Sequence, residues 1–168
     1  MLCEGAMADW ISLYFAETIT HSSLPNTIGF TSFAAAMVFG RLAGDFLSNK
    51  FQVKKILIIN GILVAVGMLI TLIFHQLAIK VIGCFVIGIG ISTIVPLIYS
   101  KAGTQTKIAP SIAIAGVSTI AYIGFLLGPV IIGYLADLFS LQYALVLLII
   151  LGLVASTIAT LFLPNSAK

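Results

Sequence analysis

The stretch VLLIILGLVASTIATLFL, Val146 to Leu163, presents apolar residues on every face of a helix and carries no charge. At about 1.5 Å per residue it would reach roughly 27 Å, close to the ~30 Å of hydrocarbon in a bilayer. A strand of a membrane barrel would alternate lipid-facing and lumen-facing residues instead, and this stretch does not alternate. It predicts a membrane-crossing helix.

The remainder of the chain repeats the pattern. Hydrophobic residues make up 61% of the 168 positions and charged residues 8%, whereas soluble domains carry about a quarter charged residues. Apolar runs between short polar breaks predict spans at about 1–19 (incomplete), 27–47, 56–74, 78–99, 111–136 and 141–163, within a single membrane domain over 1–168. The expected fold class is an all-α polytopic membrane bundle of five full spans plus a truncated first span. A secretory leader would open with cations, but this N-terminus holds acids, so no removable targeting segment is read there.

The lysines set the orientation. Lys50, Lys54 and Lys55 share one connection, and Lys101 and Lys107 another, two spans later. The positive-inside rule places loops 48–55 and 100–110, and with them the C-terminus at Lys168, in the cytoplasm, leaving Lys80 near the opposite face. The net charge of +3 is scattered over loops without a basic stripe interleaved with aromatics, so nucleic acid is not an expected partner.

Candidate chemistry is sparse. Cys3 and Cys84 fall in apolar segments and read as small hydrophobes rather than a metal pair or disulfide. His21 and His75 lie in separate loops without ligand spacing, and neither HExxH nor GxxxxGK[ST] occurs. An intramembrane enzyme and an ATP-driven pump are both disfavoured, and no cofactor is expected. GIGIST (Gly88 to Thr93) lacks the preceding strand and following acid of a nucleotide-binding turn. Gly40 with Gly44, and Gly124 with Gly128, are small-xxx-small pairs that let helix backbones approach. Pro96 and Pro129 each remove a backbone hydrogen bond inside a span, which neighbouring protein or water must compensate.

Two of the five acidic residues, Glu4 and Asp9, stand in the first span. If that helix reaches the outer surface between Phe15 and Ile19, Glu4 lies roughly 16 to 22 Å below it, near mid-membrane. The five-residue step turns the helix by about 140°, so the two carboxylates do not share a face. A carboxylate at that depth costs several kcal/mol unless paired, hydrated or protonated, so it is expected to face a cavity or a partner. A carboxyl that loads and unloads a proton suits a proton-coupled carrier. The plainer reading has Glu4 in an exposed leader and Asp9 capping a helix that starts later. The same depth arithmetic starts Met1 about halfway through the membrane, short by roughly ten residues of span. The chain is therefore expected to be the back part of something longer.

Four stretches, in order, carry a resemblance: EGAMADW (Glu4 to Trp10), FGRLAGDFLSNKFQVKKIL (Phe39 to Leu57), IVPLIYSKAG (Ile94 to Gly103) and AYIGFLLGPVIIGYLAD (Ala121 to Asp137). Together they resemble the C-terminal six-helix half of a major facilitator superfamily transporter, most of all a bacterial inner-membrane branch akin to the fucose permeases. The resemblance implies a twelve-helix parent of two halves, each built from three-helix inverted repeats, with substrate bound between them at the midplane. It implies an N-terminal six-helix half as partner, a small-molecule solute, a lipid bilayer, and secondary active transport by alternating access, with proton coupling expected.

Carried over residue by residue, the resemblance implies that Glu4, Asp9, Trp10 and Tyr122 face substrate or couple protons. Gly40, Arg41, Gly44, Asp45, Lys50, Lys54 and Lys55 match the family's cytoplasmic loop motif, which helps latch one conformational state. Asn49, where an acid is common, and Gln52, where a turn glycine is common, depart from it. Pro96, Gly128 and Pro129 correspond to helix bends near moving interfaces. The alternative is a stand-alone small membrane protein that dimerises into a transporter or serves as a structural membrane partner.

Overall fold

The computed structural model describes residues 1–19, 25–106 and 108–163, with positions 45, 47 and 49 described in backbone only. His21, Lys107, Lys168 and the side chain of Asp45 thus lie outside the described residues. Among those described there are seven helices and no strand: α1 (Leu2–Thr18), α2 (Ile28–Lys50), α3 (Val53–Ile73), α4 (Leu77–Ser92), α5 (Ile94–Thr104), α6 (Pro110–Leu138) and α7 (Leu141–Phe162). Four helical runs, α3, α4 with α5, α6 and α7, are long and apolar enough to cross a membrane, and α2 adds a shorter apolar run over Ile28–Gly44.

Local chemistry explains several helix ends. Pro110 opens α6 at its first turn, where a missing N–H costs nothing. Ser140 caps α7, its side chain accepting from the Tyr143 N–H at 3.4 Å. The run from Leu77 to Thr104 divides at Thr93, and Pro96 is the cause. It has no N–H for the Ser92 carbonyl four residues back, and its ring crowds that carbonyl. Hydrogen bonding resumes with the Leu97 N–H donating to the Thr93 carbonyl at 3.1 Å. Pro129 has no such effect, since α6 runs through it as one helix.

Helix α3 is central, packed between α4 and α7; α2 lies on the far side of α4, and α1 packs chiefly on α6. The core gathers Met7, Ile11, Tyr14 and Phe15 of α1 with Phe33, Met68, Ile87, Ile132, Leu145 and Leu148. In contrast, α6 leaves Ile120, Leu126, Val130 and Tyr134 exposed. Such a face is compatible with lipid or with another membrane helix, because neither solvent penalises apolar surface.

Backbone-to-backbone crossings hold these helices together. A Cβ on Gly67 of α3 would lie 2.7 Å from the Gly83 carbonyl oxygen of α4, and one on Gly83 would lie 2.7 Å from the Gly67 oxygen. Gly61 and Gly152 make the equivalent crossing of α3 with α7. Gly88 and Gly90 of GIGIST abut the carbonyls of Phe33 in α2 and Asn60 in α3, so that stretch is a packing element between two neighbours. Of the glycine pairs read from spacing, Gly40 and Gly44 pack on Ser92 and Thr93, and Gly128 packs on the Leu2 carbonyl; Gly124 has only ordinary contacts with Leu2.

Candidate functional site

Helix α1 is the element that carries the site. Its first turn presents Glu4 to α2, where Arg41 Nη2 lies 3.3 Å from Glu4 Oε1. The carboxylate side chain is 19% exposed and the guanidinium 50%, so the pair is half-screened rather than sealed. The second oxygen, Glu4 Oε2, is buried and has no hydrogen-bond partner among the described residues. One carboxylate thus holds a cation with one oxygen and keeps an acceptor for a proton or a polar group with the other.

The other acid of the first span goes elsewhere. Asp9 is exposed, and the turn between the two positions sets it on a different side of the helix from Glu4. Trp10 is committed to packing: its Nε1 donates to the Pro129 carbonyl at 3.0 Å, and its ring lies over Gly133. Gly5 sits against the Phe125 carbonyl, the oxygen deprived of a helical donor by Pro129. Pro129 therefore serves as an α1 docking point, a role not legible from the proline alone. Tyr122 is 62% exposed on α6.

A second group surrounds the break at Thr93. Asn60 Nδ2 of α3 donates to Thr93 Oγ1 at 2.7 Å, and both residues are buried. From the other side, Gly44 packs on the Thr93 methyl and Gly40 on the Ser92 hydroxyl. The glycines of the loop motif thus seat the break. Below it, the Tyr99 hydroxyl and Ser118 Oγ are 2.8 Å apart, joining α5 to α6. Pro96 itself is exposed; Lys50 lies over the Phe46 and Phe51 rings at 5.7 and 5.9 Å, Lys54 is half-buried and Lys55 exposed.

Asn60 escaped sequence reading because a single amide in an apolar run has no spacing signature. Replacing it with leucine should destabilise the protein by about 0.5–2 kcal/mol, since a buried hydroxyl loses its partner within a membrane bundle. In detergent thermal unfolding, adding Thr93→Val to Asn60→Leu should recover much of that loss. Strictly additive losses would show that the two side chains are not coupled.

Lys80 is the other residue missed. Read only as a topological charge, it is 1% exposed. Its Nζ donates to Thr18 Oγ1 at 2.8 Å and stands 4.1 Å from the centre of the Tyr14 ring, while Thr18 donates onward to the Tyr14 carbonyl at 2.7 Å. Cation–π attraction and a hydroxyl thus replace some of its hydration. Glu4 and Thr18 are fourteen residues apart, about 21 Å along the helix, so α1 has a polar tie near each end, to α2 and to α4. Among the described residues no three His, Cys, Asp or Glu side chains gather where they could hold a metal ion.

An all-helical bundle with membrane-length apolar helices, backbone-close crossings and a carboxylate–guanidinium pair between two of them defines a multi-pass membrane protein. The chain belongs to the Major Facilitator Superfamily, whose family profile matches residues 4–168. It is 35% identical over 157 residues to an uncharacterised MFS-type transporter of Yersinia pestis, covering 92% of this chain and 41% of that protein. It is 30% identical over 162 residues to the membrane protein MosC of Rhizobium meliloti, covering 96% and 40% respectively. An uncharacterised transporter of Sinorhizobium fredii is 30% identical over 160 residues, covering 95% and 42%. The chain spans about two fifths of the length of these curated relatives. The family is one of transporters rather than enzymes.

Proposed function

We propose that the chain is the C-terminal six-helix half of a secondary active transporter that moves a small solute by alternating access, with proton coupling at Glu4. In this reading the spans are five full crossings and a partial first one, in a bacterial inner membrane. Loops 48–55 and 100–110 face the cytoplasm, and the partner is an N-terminal six-helix half. The observation that carries it is Glu4, paired to Arg41 through one oxygen while the other is buried without a partner. Protonating Glu4 removes its charge and loosens its hold on Arg41; losing the proton restores the pair. A carrier needs such a two-state contact if a proton gradient is to bias one conformation. The division at Thr93 adds a place where α5 can move relative to α4.

The test is uptake of a solute panel into vesicles driven by a proton gradient, comparing this chain alone with this chain plus a complementary N-terminal half. Uptake that requires the added half is the expected result. Uptake by the chain alone would favour a dimeric stand-alone transporter, and no uptake with both halves present in folded form would overturn the transport reading.

A further inference from the structure

A cavity of about 310 Å³ lies between the C-terminal part of α2, the start of α3 and the length of α5. It follows α5 from Thr93 to Thr104, a rise of about 16 Å. Its lining includes Arg41, Val53, Ser100 and Lys101, with the apolar Pro96 and Leu97 toward the Thr93 end. Among the described residues the lining holds two cations and no carboxylate.

The helix termini reinforce that charge. Val53 is the first residue of α3, and Gln52 before it makes no side-chain capping hydrogen bond. The opening N–H groups of a helix have no intrahelical acceptors and carry partial positive charge. The first turn of α3 offers no acid in compensation, and Lys54 and Lys55 stand there instead. Glu4 offsets part of the Arg41 charge from outside this cavity, which leaves Lys101 as the principal cation on the wall.

We infer that this cavity binds an anionic phosphate group, with Lys101 as its main charge partner, the Ser100 hydroxyl and Arg41 beside it, and the α3 N-terminus behind. Phosphate oxygens match this donor set because they accept from ammonium, hydroxyl and backbone amide groups together. The volume suits a phosphoglycerol headgroup, and the apolar end along Pro96 and Leu97 suits the start of a lipid's glycerol ester region. An anionic phospholipid and free phosphate share the chemistry. The inference rests on the cavity and not on the transport reading.

The test uses the chain in neutral detergent micelles, with native mass spectrometry and thermal shift as readouts. The probes are dioctanoyl phosphatidylglycerol, dioctanoyl phosphatidylcholine and inorganic phosphate. Phosphatidylglycerol should bind in preference to phosphatidylcholine, Lys101→Gln should weaken it by about tenfold, and Lys101→Arg should retain it. Lys55→Gln, exposed and outside the lining, should change binding less than Lys101→Gln. Competition by inorganic phosphate at micromolar levels would assign the site to the free anion; its failure to compete would assign it to the lipid. Equal binding of the two lipids, wild-type affinity in a folded Lys101→Gln variant, or no binding of either phosphatidylglycerol or phosphate would overturn the inference.

Discussion

Glu4→Gln, introduced into the chain together with a complementary N-terminal half, is expected to abolish accumulation driven by a proton gradient while counterflow exchange of the same solute persists. Glutamine keeps the shape of the side chain and a carbonyl oxygen that still accepts from Arg41. It carries no titratable proton, so the contact at 3.3 Å loses its two states and the gradient loses its handle. Asp9→Asn is the internal comparison: Asp9 is exposed and among the described residues makes no contact resembling the Glu4 pair, so its loss should affect gradient-driven uptake much less. Full gradient-driven uptake by the Glu4→Gln variant would remove Glu4 from the coupling role. Equal loss of exchange and accumulation would mean that Glu4 binds solute or supports the fold instead.

A large loss of stability is expected at Gly67, on the central helix α3. A valine there must place its Cβ about where the Gly83 carbonyl and the Ile87 N–H already are, at 2.7 and 2.8 Å. Both are backbone groups, so no side-chain rotation relieves the clash; α3 and α4 must separate along their shared face. Overpacking of a well-packed interior costs about 1–3 kcal/mol, and a backbone-to-backbone clash belongs at or above the top of that range. The variant should unfold at markedly lower temperature in detergent or fail to accumulate as folded protein. Gly116 of α6 makes the control, because a Cβ there meets nothing within 4 Å. Gly116→Ala should be neutral or stabilise by up to about 1 kcal/mol, through helix propensity alone. If Gly67→Val unfolds at the same temperature as Gly116→Ala, the α3–α4 crossing is not what holds this bundle together.

Sequence reading reached the membrane class, the helical architecture and the family. These depend on quantities summed along the chain: apolar run length against bilayer thickness, the scarcity of charge, and the order of four motif stretches. It also singled out Glu4, because an acid in a long apolar run is expensive wherever the helix ends up. What that acid does was not legible. Arg41 was read only as part of the cytoplasmic loop motif, whereas its described partner is Glu4, thirty-seven residues earlier.

Pairing between helices is a matter of rotation and register, and a continuous apolar helix carries little periodic signal to set either one. Val146 to Leu163 could turn any side toward its neighbours; the mutual contact of Gly152 with Gly61 decides which side it turns. The same holds for Trp10 bonded to the Pro129 carbonyl, for Asn60 bonded to Thr93 across the division of α4 from α5, and for Lys80 over Tyr14. Solvation energy, which a chain carries residue by residue, committed this protein to cross a membrane as helices. Close packing and individual hydrogen bonds, which exist only once two helices have met, decided which groups touch.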